Sequence, residues 1–124
     1  PAVAGGPRLL LRLEGAALLV AAPAAMPLFG APWWPFAAAA VTPDIAILGY
    51  LVGRRFGAAC YDAAHTTVPA LALAAFGVAG DVPIATAAAL GWLAHIGFDR
   101  ALGYGLKYAT AFTDTHLGRL GRDE

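Results

Sequence analysis

The chain has 124 residues, of which 60% are hydrophobic and 13% are charged, whereas a soluble domain usually carries about 25% charged residues. Eight basic and eight acidic residues give a net charge of zero. This balance does not suggest a nucleic-acid partner, since such proteins carry an excess of basic residues. Cys60 is the only cysteine, which excludes an internal disulfide. This composition indicates an integral membrane protein of one domain.

Four apolar segments of about 20 residues each are long enough to cross a bilayer core roughly 30 Å thick. Turn signals separate them at residues 30–32, 54–55 and 80–83. We predict an all-α fold, an integral membrane four-helix bundle that forms a single domain over residues 1–124. Its helices are expected at about residues 9–27, 35–53, 56–79 and 83–106, followed by a cytoplasmic interfacial tail at 107–124. A cleaved signal peptide is the alternative for the first segment, but Glu14 interrupts its apolar run.

Basic residues fall at one end of the predicted helices. They precede or open the first helix, separate the second from the third, and follow the fourth: Arg8, Arg12, Arg54, Arg55, Lys107, Arg119 and Arg122. The positive-inside rule therefore places both termini in the cytoplasm. The expected location is the inner (plasma) membrane of a bacterium, with a multi-pass topology and the lipid bilayer as partner.

Seven ionisable side chains lie inside the apolar segments: Glu14, Asp44, Asp62, His65, His95, Asp99 and Arg100. A charge in hydrocarbon costs roughly 2.5–3.5 kcal/mol even on insertion scales, so such residues persist where they pair, bind ions or line water. At 1.5 Å per residue, the carboxylates lie roughly 8–14 Å from the cytoplasmic ends of their helices. The sequence thus predicts one polar layer in the cytoplasmic half of the bundle. Within it, Arg100 is expected to pair with Asp44 or Glu14 on another helix.

Two carboxylate–imidazole pairs occur at helical spacing. Asp62 and His65 are three residues apart, and His95 and Asp99 are four apart, which places each pair on one helix face. With a lone carboxylate on each of the other two helices, the residue types resemble those of four-helix di-metal carboxylate sites. We predict a divalent transition metal, Fe, Mn or Zn, held by these ligands: Glu14, Asp44, Asp62, His65, His95 and Asp99, with Asp114 and His116 as further candidates.

Two prolines lie inside the predicted second and third helices. Pro43 and Pro69 each free the carbonyl four residues earlier, which belongs to Ala39 and to His65. Freed carbonyls in a bundle need partners, and discontinuous helices often line binding sites. A simple packing kink is the alternative for each proline.

Three classes of function remain open. In an enzyme, Arg100 and Lys107 are expected to bind an anionic group or to stabilise developing charge during metal-assisted chemistry. Its substrate would be a small anionic or lipid-soluble molecule. The second class is a transporter or channel for a small solute, a cation or protons, acting as a homo-oligomer. The third is a non-catalytic accessory subunit in which the polar layer only specifies helix packing.

Several stretches resemble a bacterial family of small integral membrane proteins. These stretches are LRLEG at 11–15, PD at 43–44, YDAAHT at 61–66, HIGFDRALGYGLKY at 95–108 and THLG at 115–118. The family is catalogued as a domain of unknown function (number four-two-six-zero). The resemblance covers nearly the whole chain and implies a four-helix membrane protein without an assigned activity.

Overall fold

The computed structural model describes residues 2–107 and 114–119, and this part of the chain is almost entirely helical. The helices are α1 (Gly5–Phe29), α2 (Trp33–Val41), a 3₁₀ helix (Pro43–Leu51), α3 (Arg54–His65), α4 (Thr67–Ala79) and α5 (Pro83–Leu102). A small antiparallel hairpin follows, in which β1 (Asp114–Thr115) pairs with β2 (Gly118–Arg119). The predicted all-α class is confirmed, with this hairpin as an addition in the tail.

The second and third predicted helices are each divided in two next to a proline. Pro43 begins the 3₁₀ helix directly after Thr42, and Thr66 is extended between α3 and α4. Pro69 then lies in the first turn of α4, where a backbone N–H would have no helical partner in any case. Because a proline ring clashes with the carbonyl four residues earlier, it disfavours a continuous helix at each site.

α1 and α5 each end directly before a glycine. α1 ends before Gly30, which has a φ of 64°, and α5 ends before Gly103, which has a φ of 90°. This left-handed conformation is the usual C-terminal cap of a helix and is readily adopted by glycine. α5 therefore ends four residues before the predicted boundary, and the chain from 103 onward is free to turn back across the bundle.

α5 is the central helix of the molecule. It packs against α1, α2 and α4, while α3 packs against the 3₁₀ helix. Small residues allow the closest of these contacts, because a Cβ on Gly97 of α5 would lie 2.6 Å from the carbonyl oxygen of Gly15 on α1. The buried apolar core along α5 is composed of Ala22, Ala70, Leu93, Ala94 and Ile96.

Two helical stretches, Gly5–Phe29 and Trp33–Leu51, are long and apolar enough to cross a membrane. Only 17% of the apolar window of the first and 6% of that of the second is buried in the monomer. This distinguishes them from the core helix of a water-soluble domain, which is mostly buried. Their outer faces carry large apolar side chains.

Candidate metal centre

Four of the predicted ligands meet in one cluster, although they belong to three separate elements. Asp44 lies in the first turn of the 3₁₀ helix, His65 ends α3, and His95 and Asp99 are one turn apart on α5. One donor atom of each residue lies within 4.8 Å of the other three. The side chains of His65, His95 and Asp99 are only 3%, 9% and 12% exposed, whereas that of Asp44 is 56% exposed. The cluster is thus buried on three sides and open at Asp44.

Backbone carbonyls orient both imidazoles. Nδ1 of His65 donates to the carbonyl of Tyr61 at 2.9 Å, and Nδ1 of His95 donates to the carbonyl of Ala40 at 2.7 Å. The Ala40 carbonyl is available because α2 ends one residue later. Since a carbonyl can only accept, Nδ1 carries the proton in each ring, and Nε2 of the neutral imidazole presents a lone pair.

The two Nε2 atoms and the carboxylate oxygens are nearly evenly spaced. The Nε2 atoms lie 3.2 Å apart. Asp44 Oδ1 lies 3.1 Å from Nε2 of His65 and 3.2 Å from that of His95, and Asp99 Oδ2 lies 3.4 Å from each. Ligand atoms of a tetrahedral ion with bonds of about 2.0–2.1 Å are about 3.3 Å apart. Five of the six edges of a coordination tetrahedron are therefore matched, and the ligand atoms of Asp44 and Asp99 lie within 4.8 Å of each other.

The charges of the cluster call for a cation. Two carboxylates and two imidazole lone pairs face one another as acceptors, and a buried acceptor without a donor is costly. A metal ion between them, or protons on the imidazoles, would remove this cost. The cluster of Asp44, His65, His95 and Asp99 can therefore hold a metal ion.

An aromatic ring and an ammonium group pack behind His65. The Tyr61 ring stacks on the His65 ring at 3.8 Å between centroids and 6° between planes. Lys107 Nζ lies 4.4 Å from the centroid of the Tyr61 ring, and Lys107 is only 4% exposed. Burial lowers the pKa of the Lys107 amine below its ordinary value, against the opposing effect of Asp62 and Asp99. A buried cation thus lies next to the cluster, with Tyr61 packed against both.

Among the residues that the structure describes, Asp62 is not part of the cluster. Its Oδ1 accepts the backbone N–H of Lys107 at 2.6 Å. Asp62 therefore connects α3 to the chain that follows α5, and its role as a metal ligand stays a prediction.

His116 also holds the tail. Its Nδ1 accepts the backbone N–H of Leu106 at 2.8 Å, and its carbonyl accepts the N–H of Val3 at 2.7 Å. Burial, and then the nearby charge of Arg100, lower the pKa of His116. Leu117 next to it is fully buried. The tail is thereby folded against the bundle at the end near Lys107.

The remaining predicted residues lie elsewhere. Glu14 is exposed on α1 and does not belong to the cluster within the described part of the chain. The side chain of Asp114 lies outside the described residues. Arg100 donates to the carbonyl of His65 at 3.0 Å, and within residues 2–107 it forms no ion pair with Asp44 or Glu14, the two expected partners. This is the carbonyl that Pro69 frees, so the predicted need for a partner is met by Arg100.

Sequence reasoning did not single out two aromatic residues beside the cluster. Trp92 Nε1 donates to the carbonyl of Ala64 at 2.5 Å, and Tyr61 stacks on His65. A signal was present for both, because Trp92 precedes His95 by three residues and Tyr61 precedes His65 by four. Residues at these spacings share a helix face.

The fold and the cluster define a helical protein with apolar outer faces and a buried Asp/His group. The chain belongs to the family described as Domain of unknown function (DUF4260), whose family model matches residues 8–120. The resemblance seen in the sequence is thereby confirmed. No curated protein and no solved structure matches the chain.

Proposed function

We propose that this protein is a multi-pass inner-membrane protein that binds one divalent transition metal ion through Asp44, His65, His95 and Asp99. The observation that carries the proposal is the group of four acceptor atoms within 4.8 Å of one another, in which both carboxylate oxygens lie 3.1–3.4 Å from both Nε2 atoms. Hydrogen bonds from the other ring nitrogen to a carbonyl are the usual support of a metal-binding histidine. Two separate ions, as in a di-metal site, would need more ligands than this group supplies.

Zinc suits this group better than the other metals expected. Zn²⁺ accepts two imidazole nitrogens and two carboxylate oxygens in a tetrahedron. Octahedral ions such as Mn²⁺ prefer more oxygen ligands, including water. The spacing of about 3.3 Å expected for a tetrahedral ion matches the measured 3.1–3.4 Å.

The membrane location is supported by the outer surfaces of the helices. α1 and the stretch Trp33–Leu51 expose most of their apolar side chains, and a soluble monomer rarely exposes contiguous apolar surface on this scale. α1 packs along the whole central helix α5 through Gly15. This close packing favours a permanent helix of the bundle over a cleaved signal peptide. Both termini are proposed to be cytoplasmic.

The arrangement supports metal-assisted chemistry. Three ligands are buried and would retain the ion, while the exposed Asp44 is the ligand that water or a substrate can displace. An ion at this position supplies Lewis acidity to a coordinated oxygen. Lys107 is the candidate to stabilise negative charge beside the site, since it is buried next to Tyr61. Arg100 acts as a positioning residue, because it donates to the carbonyl of His65.

A proton or cation pathway is the second candidate. The chain of contacts from the exposed Asp44 through His65 and His95 to the buried Asp99 favours it. Carboxylates and imidazoles in such a series relay protons in membrane pumps and transporters. Four helices form a thin wall, so this function would favour a homo-oligomer.

The metal content of the purified protein tests the main proposal. Protein without a His tag, from cells grown with added metals, is expected to hold about one equivalent of a divalent transition metal by elemental analysis. His65→Ala and His95→Ala are each expected to reduce it by about tenfold or more.

Two substitutions serve as controls in the same experiment. Cys60→Ala removes another possible metal ligand of α3, and Glu14→Gln removes an exposed carboxylate of α1; neither residue belongs to the cluster. Both variants should retain the metal. Wild-type protein with less than about a tenth of an equivalent would contradict metal binding and favour the proton pathway, which flux measurements in liposomes would then examine.

A further inference from the structure

A cavity of about 260 Å³ lies between α1, α2 and α5. Six apolar side chains and one imidazole line it, including Leu19 of α1, Phe36 and Ala40 of α2, and Ala94, His95 and Phe98 of α5. An apolar cavity of about 150 Å³ is enough to bind benzene. The space therefore suits a molecule of the size of a substituted aromatic ring or a short alkyl chain.

His95 belongs both to this cavity and to the metal cluster. Its ring lines the cavity, its Nδ1 is fixed to the Ala40 carbonyl, and its Nε2 lies 3.2 Å from Asp44 Oδ1. A molecule in the cavity would thus lie against the side chain of a metal ligand. A neighbouring cavity of about 190 Å³ is lined by Ala39 of α2, Ala64 of α3, Leu73 of α4 and Trp92 of α5, among others, and by no member of the cluster.

The position of the cavity indicates how a molecule would enter. Phe98 in its wall is 48% exposed, and the rest of the wall includes residues of α1 and α2, the helices proposed to contact lipid. At the end near Lys107, Leu117 of the described segment 114–119 is fully buried. Lateral entry from the bilayer therefore reaches His95 through apolar side chains.

We propose that this cavity, the α1–α2–α5 pocket, binds a small uncharged lipid-soluble molecule against His95, a ligand of the proposed metal ion; this inference rests on the function proposed above. Its described wall has no charged side chain, and its one polar side chain is the neutral imidazole of His95, so a charged substrate would lose its hydration without a compensating partner. The pocket thus selects the lipid-soluble class among the substrates considered.

Cobalt-loaded protein in detergent provides the test, because the visible bands of Co²⁺ report changes in its ligands. The probe is 4-phenylimidazole, which can coordinate the ion and place its phenyl ring in the pocket, and imidazole is the matched probe without the apolar group. Ala40→Leu and Leu19→Trp fill the pocket from two helices. Ala39→Leu is the matched control, because Ala39 is adjacent in α2 but lines the neighbouring cavity.

Ala40→Leu and Leu19→Trp are expected to retain cobalt and to weaken 4-phenylimidazole binding by about tenfold or more, since burial of the phenyl ring is lost. Imidazole binding should change by less than about twofold, and Ala39→Leu should alter neither. Ala40→Leu could alter cobalt binding itself, because the Ala40 carbonyl accepts a hydrogen bond from His95. In that case Leu19→Trp alone tests the pocket, because Leu19 lies on another helix. Unchanged 4-phenylimidazole binding in a cobalt-loaded pocket variant would overturn the pocket alone, whereas wild-type protein that binds no cobalt would overturn the metal proposal and the pocket with it.

Discussion

Arg100 connects the central helix to the break between α3 and α4. Its guanidinium donates to the carbonyl of His65 at 3.0 Å, and Pro69 lacks the N–H that a continuous helix would offer to this carbonyl. Because His65 belongs to the cluster, Arg100 holds the backbone of a proposed metal ligand in place. A hydrogen bond from a charged group contributes about 1.5–3 kcal/mol.

We therefore expect Arg100→Leu to lower the free energy of unfolding by about 1.5–3 kcal/mol, with a smaller loss for Arg100→Lys, which keeps a donor. Thermal or denaturant unfolding in detergent at a fixed metal concentration would measure this. Arg55→Leu is the matched control, because Arg55 is exposed at the start of α3, and its effect should stay within about 0.5 kcal/mol. Equal losses for the two leucine variants would contradict the role given to Arg100.

Helical periodicity explains why some of the candidate ligands lie together in the cluster. Long-range contacts explain why other candidates lie outside it. His95 and Asp99 share a helix face and both enter the cluster. Asp62 and His65 share a face as well, but the N–H of Lys107, 45 residues away, binds Asp62 instead. Glu14 precedes Gly15, which faces α5, so Glu14 is turned by about 100° from that contact. No spacing rule specifies which helix face a distant segment will cover.

The crossing of α1 and α5 depends on Gly15. A Cβ at this position would lie 2.8 Å from the carbonyl oxygen of Gly97 and 2.5 Å from Cβ of Arg100. Neither a backbone atom nor the first carbon of a side chain can move without shifting its helix. The contact between these two helices therefore tolerates no added methyl group.

Gly15→Ala is expected to reduce the free energy of unfolding by about 1–3 kcal/mol through overpacking. Gly6→Ala lies in the same helix with nothing within 4 Å of the added Cβ, and it should be neutral or stabilise by up to about 1 kcal/mol. Denaturant titration of both variants in one detergent compares them directly. A loss at Gly6 as large as that at Gly15 would show that the helix backbone, and not the crossing, is sensitive.

Pro43 and Pro69 indicate where the second and third predicted helices are irregular, but they do not indicate that each helix is divided in two there. A membrane helix can continue through proline when neighbours satisfy the freed groups. Here the carbonyls near the breaks are bound by side chains of α5: Arg100 at His65, and His95 at Ala40. The position of Pro43 predicts a free carbonyl at Ala39, whereas His95 binds the carbonyl of the next residue, Ala40. These partners come from 35 and 55 residues away, so the local pattern did not determine the outcome.

Across the whole molecule, the basic residues define an orientation that is still a prediction. Every Lys and Arg outside the predicted helices maps to one side, which is typically cytoplasmic. Reporter fusions after Glu124 and within the turn at 80–82 would test it. A cytoplasmic C-terminus and an extracytoplasmic turn are expected. The reverse result would place the metal cluster in the outer half of the membrane.

The ligands of the cluster lie 21 and 30 residues apart along the chain, from Asp44 to His65 and from His65 to His95. An ion at this point would act as a reversible cross-link that closes both loops, and its effect would follow mass action. At a free metal concentration of 100 times the dissociation constant, such binding adds about 2.7 kcal/mol to stability. The lifetime of the folded protein would then rise and fall with the metal supply of the cell, so that metal scarcity alone could deplete it.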